Sequence, residues 1–328
     1  MHTIGGQDCI NVKRGRTIIQ GQIDAARYKR IASKGGRWKM IFGDGKFPKE
    51  GGESVLIAIE WLERHVRAYR DDSPVRAFGL DVAASIAGDR SVLTAGGPSG
   101  MRKQLEIQEV DTMVVVGWVL RQAMHQYGID LTLGQTPITV DMDGLGKGTG
   151  DRLREQGCLV LEFRGNATAE EDPKTHANLR AEGYALFGLR LNPKGAWGEV
   201  DFGLPNDIEL HQELCCPGKV FGSDGIRFHI TPKKKPNKQY KGDTIQEMLG
   251  RSPDKGDSAV YCEHAIRYYE KVSSWDDSWR GELIASGEDP EKEQERLTDE
   301  DIEDLDADLA DIILNMREYH GTERDWDD

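Results

Sequence analysis

From Val75 onward, short apolar runs alternate with longer stretches of helical spacing, and their order predicts a mixed α/β domain. Val75 to Ala83 reads as a buried strand, and Arg90 to Ala95 and Lys103 to Val110 as two more, parted by Gly96-Gly97-Pro98. Three strands in succession imply an antiparallel meander. Asp111 to Tyr127 then carries apolar residues at helical intervals (Met113, Val116, Val119, Leu120, Met124) and leads to a fourth strand at Pro137 to Asp141. A glycine-rich turn and short helix (Gly144 to Gln156), a strand (Cys158 to Phe163) and a helix (about Thr175 to Leu189) follow. Further on, Gly222-Ser-Asp-Gly225 predicts a hairpin whose second strand is Arg227 to Ile230. Ser252-Pro253-Asp254 opens a last helix to about Lys271, with Ala259, Cys262, Ile266 and Tyr269 as its inward stripe. This order is that of an RNase H-like α/β fold of the resolvase/integrase type, a mixed sheet flanked by helices.

Upstream of Asp71-Asp-Ser-Pro74 lies a different kind of chain. Residues 1–40 hold nine bases against Asp8 and Asp24, so 1–74 reads as a basic arm and linker, with a helix carrying Ile59, Trp61, Leu62 and Val66 near its end. Residues 75–272 form the expected α/β domain, and 273–328 an acidic tail.

Charge changes the picture through its distribution. The chain has 57 acids and 43 bases, a net charge of -14, but residues 273–328 contribute 21 acids and only 5 bases. The remaining 36 acids and 38 bases leave the body nearly neutral, so an anionic partner such as DNA is open to it. Within the tail, Leu297, Leu305, Leu309, Ile312, Ile313 and Met316 stand among acids, the pattern of an amphipathic helix that docks on a partner or of a disordered tail. Five scattered cysteines without a C-x-x-C pair read as reduced thiols, and His211 with Cys215 and Cys216 lacks a fourth ligand for zinc. No run of eighteen apolar residues and no signal-peptide layout occurs, so an intracellular protein with no membrane partner is expected. Gly144-x-Gly146-Lys147-Gly148-Thr149 lacks the spacing of a phosphate loop, and no Walker motif is present.

The candidate chemistry is acidic. Asp81 sits among Phe78, Leu80 and Val82, where an ionised carboxylate is costly unless paired or metal-bound; the alternative is an edge strand with Asp81 in solvent. Asp141 ends the fourth strand before a glycine turn, with Asp143 as a cap or substitute ligand. Asp254 and Asp257, three apart, share a face of the last helix, an arrangement that the helix dipole also favours. Carboxylates gathered from separate elements are what two divalent ions need to hydrolyse a phosphodiester. A basic run, Lys233, Lys234, Lys235, Lys238 and Lys241, precedes the last acids and suits backbone phosphates.

These residues resemble the nuclease domain of large terminase subunits from tailed bacteriophages. Gly79-Leu-Asp-Val-Ala83 with Gly88-Asp-Arg-Ser91 is similar to the family's first strand and turn, Val140-Asp-Met-Asp-Gly-Leu-Gly146 to its second acidic segment, and Arg251-Ser-Pro-Asp-Lys-Gly-Asp-Ser-Ala259 to its closing motif. Phe42 to Pro48 and the Glu60-Trp61 helix resemble the segment joining motor to nuclease. The resemblance implies that Asp81, Asp141 and Asp254 bind Mg²⁺ or Mn²⁺, two ions in all, with Asp257 as an additional or alternative ligand. It also implies cleavage of concatemeric viral double-stranded DNA during packaging in the host cytoplasm. The partners it implies are a terminase ATPase domain or motor subunit, a small terminase subunit and the portal protein. A junction resolvase or transposase-type nuclease, or a non-catalytic packaging-assembly module, are the rival expectations.

Overall fold

A computed structural model describes residues 9–15, 25–26, 28–29, 56–83, 90–195, 202–221, 226–236 and 242–286. The acidic tail beyond residue 286, most of the basic arm, the segment 42–48, the hairpin turn 222–225 and Lys238 and Lys241 lie outside the described residues.

The centre is a six-stranded mixed sheet. Strand β1 (Ala77–Asp81) pairs antiparallel with β2 (Ser91–Gly97), which also pairs antiparallel with β3 (Gly100–Met101) and β4 (Leu105–Ile107). On its other side β1 runs parallel to β5 (Ile138–Asp141), and β5 parallel to β6 (Val160–Phe163). The strand expected at Lys103 to Val110 is confined to Leu105–Ile107, and the short β3 precedes it, where the turn at Gly100 (φ 141°) packs its backbone against Gly203.

Both parallel connections carry helices. Helix α2 (Thr112–Tyr127), capped by the Asp111 side chain and closed by left-handed Gly128, and helix α3 (Gly146–Glu155) cover one face. Their core holds Phe78, Leu80, Val119, Ile138 and Val140. The opposite face takes α1 (Ile59–Ala68), α4 (Leu179–Leu191), α5 (Ile208–Cys215) and the long α7 (Asp254–Ser286). Leu56, Ile57, Trp61 and Leu62 join that core, so packing extends the body N-terminal of the boundary expected at residue 74.

Helix α4 starts later than the sequence suggests. Thr175 and Ala177 hydrogen-bond to Phe228 in β8 (Phe228–Ile230), and the helix begins only where the Asn178 side chain caps Ala181 N–H. Strand β8 pairs with β7 (Lys219–Phe221), as the hairpin reading expects. Among the helices that go unpredicted are α5 and α6 (Ile245–Leu249). Helix α7 is buried on nearly every side from Pro253 to Ile266 rather than on one stripe, because it lies between the sheet and α4 and α5; Tyr269 is half-buried. No described helix is long and apolar enough to cross a membrane.

Side chains alternate across a strand, so Phe78 and Leu80 face α2 while Ala77, Gly79 and Asp81 face α7. Gly79 lets α7 lie directly on the sheet: a Cβ there would stand 2.1 Å from the backbone nitrogen of Cys262. That close approach brings the first turns of α7 down to the carboxyl ends of β1 and β5.

Candidate metal centre

The carboxyl ends of two adjacent parallel strands and the start of α7 meet at one place, where sequence places four of its acids. Asp81 ends β1, Asp141 ends β5, and Asp254 and Asp257 occupy the first turn of α7. Asp81 is only 6% exposed and accepts no hydrogen bond from a described residue, so it is not the solvent-facing edge position that was its alternative. Burial pushes its carboxyl well above the usual range; Lys233 works against this, while Asp257, Asp141 and Asp254 add to it. Burial also raises Asp141, whose two oxygens accept from the Asp143 backbone N–H (3.0 Å) and the Tyr261 hydroxyl (3.1 Å). Asp143 itself is exposed. Asp254, 3% exposed, accepts from the Arg90 backbone N–H at 3.1 Å.

Asp257 differs from the other three. Its Oδ1 accepts from the Tyr184 hydroxyl at 2.8 Å and from Arg180 at 3.1 Å, and its Oδ2 stands 2.8 Å from Lys233 Nζ. Burial would raise its pKa, but Arg180 and then Lys233 more than reverse this and hold it below the usual value. Arg180 lies 5.4 Å above the Tyr184 ring. Lys233 in turn stays protonated well beyond its ordinary range, since Asp257, Asp81 and Asp141 outweigh its burial. It lies against the acids with its side chain 30% exposed, while Lys234 and Lys235 are exposed on the same loop and Lys235 pairs with Glu247 at 3.2 Å.

Sequence reading brought the four acids and Lys233 to the neighbourhood but missed Arg180, Tyr184 and Tyr261, which join Asp257 and Asp141 from α4 and α7. A polar residue at an otherwise apolar helical position was the available signal for Arg180, and only the packing of α4 on α7 gives it meaning.

Among the described residues no three His, Cys, Asp or Glu side chains stand ready-arranged to hold a metal ion. The donor chemistry nonetheless fits a hard divalent ion: Asp81, Asp141 and Asp254 offer carboxylate oxygens, and Asp81, although buried, accepts no hydrogen bond from a described residue. A cation there would offset a desolvated, mutually repelling set of charges.

A mixed sheet in the order β3-β2-β1-β5-β6, helices on both faces and acids at the carboxyl ends of its two central parallel strands define an RNase H-like α/β domain. It has the fold of a phage large-terminase nuclease domain. The chain is similar to a point mutant of the nuclease domain of the large terminase subunit gp2 of bacterial virus Sf6, solved with manganese and beta-thujaplicinol: TM-score 0.50, 17% identity, covering 63% of this chain and 97% of that one. A large terminase nuclease from thermophilic phage G20c aligns at TM-score 0.38 and 13% identity over 66% of this chain and 89% of its own. No protein-family model and no curated protein sequence matches the chain.

Proposed function

We propose that this chain is a metal-dependent endonuclease that cuts concatemeric viral double-stranded DNA during genome packaging, with Asp81, Asp141 and Asp254 as its metal ligands. The observation that carries the reading is Asp81, a buried carboxylate beside three other acids that accepts no hydrogen bond from a described residue and has Lys233 alone working against the rise in its pKa. Such a group is expensive to keep and is characteristic of a site built for a cation.

Mg²⁺ or Mn²⁺ ions held by these acids would supply activation of water and stabilisation of the leaving oxygen of a phosphodiester. The chain's own residues supply the rest. Asp81, Asp141 and Asp254 offer the oxygens, and Asp257 is the additional ligand or, given its three donors, the anchor of Lys233 and Arg180. Lys233 holds a fixed positive charge where the scissile phosphate would lie; Lys234 and Lys235, with Lys238 and Lys241 further along, would track the backbone without reading sequence. Asp143, exposed beside Asp141, is the substitute ligand.

The Sf6 domain's manganese supports divalent chemistry on this fold. In this reading the partners are a terminase motor with its ATPase domain, a small terminase subunit and the portal, the setting is the host cytoplasm, and residues 273–328 serve as a docking tail.

The test is nicking of supercoiled plasmid in Mn²⁺ by the full chain. Wild type should nick and then linearise, and Asp81→Ala should cut at least about 1,000-fold more slowly, as loss of a central metal ligand implies. Cutting of branched DNA in strong preference to linear duplex would favour a resolvase instead, and retained cutting by Asp81→Ala would contradict the proposal.

A further inference from the structure

Resting on that nuclease reading, we propose that Lys255 is a positioning residue that sets the carboxylate of Asp254 through the backbone of Arg90. Lys255 follows Asp254 in the chain, yet its side chain leaves the acidic centre and enters a separate, partly exposed cluster of carboxylates. Its Nζ lies 2.6 Å from Asp207, the N-cap of α5, 2.9 Å from Glu106 on β4, and 3.2 Å from Glu209 in the first turn of α5. The residue is 6% exposed, and these three carboxylates surround a single ammonium.

Two of the three have a second cation in common. Glu106 presents Oε1 to Lys255 and Oε2 to Arg90 at 2.6 Å. Glu209 presents both oxygens to the Arg90 guanidinium, at 2.7 and 3.3 Å, and also reaches Lys255 and Arg251. Arg90 is thereby held by carboxylates that Lys255 itself holds, and its backbone N–H is the donor on Asp254 Oδ2. A closed circuit results: Asp254, Lys255, Glu106 or Glu209, Arg90, and back to Asp254. A compact ammonium with three donors suits three convergent acceptors.

The circuit is separable from the fold of the helix start. Gln104 donates to the Lys255 carbonyl at 2.9 Å, Glu213 accepts from the Gly256 N–H at 2.9 Å, and the Ser258 hydroxyl donates to Gly79 and Val92 carbonyls. These bonds keep the backbone of the first turns in place when the Lys255 charge is removed. Loss of that charge leaves Glu106 and Glu209 repelling one another beside Arg90, and frees Arg90 to move off Asp254.

The experiment is a calorimetric titration of Mn²⁺ into the full chain stripped of metal, for wild type, Lys255→Met, Lys255→Arg and Glu209→Gln, with plasmid nicking followed across the same Mn²⁺ range. The expected result is at least a tenfold rise in the Mn²⁺ dissociation constant for Lys255→Met, a smaller rise for Glu209→Gln, and partial recovery in Lys255→Arg. Nicking by Lys255→Met should need the same tenfold more Mn²⁺ and approach the wild-type rate at saturation. A melting temperature lowered in chelator with an unchanged Mn²⁺ constant would make the cluster merely structural and overturn the proposal. If Lys255→Met does not fold, Glu209→Gln alone decides by the same criterion. A wild type that binds no Mn²⁺ would instead refute the nuclease reading, which separates the two failures.

Discussion

At the scale of single residues, the centre sets two carboxyls whose ionisation folding disfavours, Asp81 and Asp141, beside a paired Asp257 and Lys233 whose charges it favours. Asp81 is the clearest case, since burial and neighbouring acids favour its protonated form. Replacing it by Asn should therefore raise the melting temperature of the metal-free chain while abolishing cutting. Relief of about 1–3 kcal/mol for an uncompensated buried group would show as a rise of several degrees in calorimetry, and a fall would contradict the reading. Two carboxyls outside the candidate ligand set extend the pattern to pH. Burial raises Glu213 to about 8 and Glu263 to about 7, above the ordinary value of 4.5. A raised acid binds its proton more tightly in the folded state, so each contribution is most favourable at low pH and declines as pH rises from 4.5 through the folded value. Melting temperature should fall between pH 5.5 and pH 8.5, and Glu213→Gln with Glu263→Gln should flatten that slope. Asp207 and Glu209 run the other way: although burial opposes it, the Lys255 bond to Asp207 and the Arg90 bond to Glu209 lower their values, so their stabilisation is lost only as pH falls below the carboxylate range.

At the scale of elements, the architecture depends on α7 lying flat against β1. Gly79→Ala would drive a methyl into the backbone at Ser258 and Cys262, which cannot give way as a flexible side chain can. It should cost more than about 3 kcal/mol and yield insoluble or molten protein by near-UV circular dichroism; a native-like spectrum would show that α7 can lift. Strong periodicity made the sheet strands and α2 legible, and Ser252-Pro253-Asp254 marked the start of α7 to within one residue, the helix opening at Asp254 rather than at Pro253. Helices α5 and α6 were missed although their caps are written in the chain. Asp207 precedes Leu210 and Leu214 at helical spacing, and Thr244 with Glu247 makes a capping box, but each helix is too short for periodicity to assert itself. The acids were found because a carboxylate at the end of an apolar strand is conspicuous. Arg180, Tyr184 and Tyr261 were not, because they gain their meaning from residues 73 to 120 positions away, a separation that only tertiary packing closes.

At the scale of the whole molecule, charge is divided between a body and a tail. Residues 287–328 carry 18 acids and 4 bases, so removing them brings the chain from -14 to neutrality. A chain ending at Ser286 should bind duplex DNA more tightly at low ionic strength, with the difference shrinking as salt screens it; fluorescence anisotropy at about 50 mM and 500 mM NaCl would show this. Equal affinities at low salt would mean that the tail and the DNA surface do not sense one another. The molecule's central proposition remains local, namely that two strand ends and one helix start gather oxygens for a divalent ion. Diffraction from crystals grown with Mn²⁺, recorded at the manganese edge, tests it most directly. Anomalous density bounded by Asp81, Asp141 and Asp254, and lost in Asp81→Ala crystals, is the predicted result; no density there, or density confined to other residues, would contradict it.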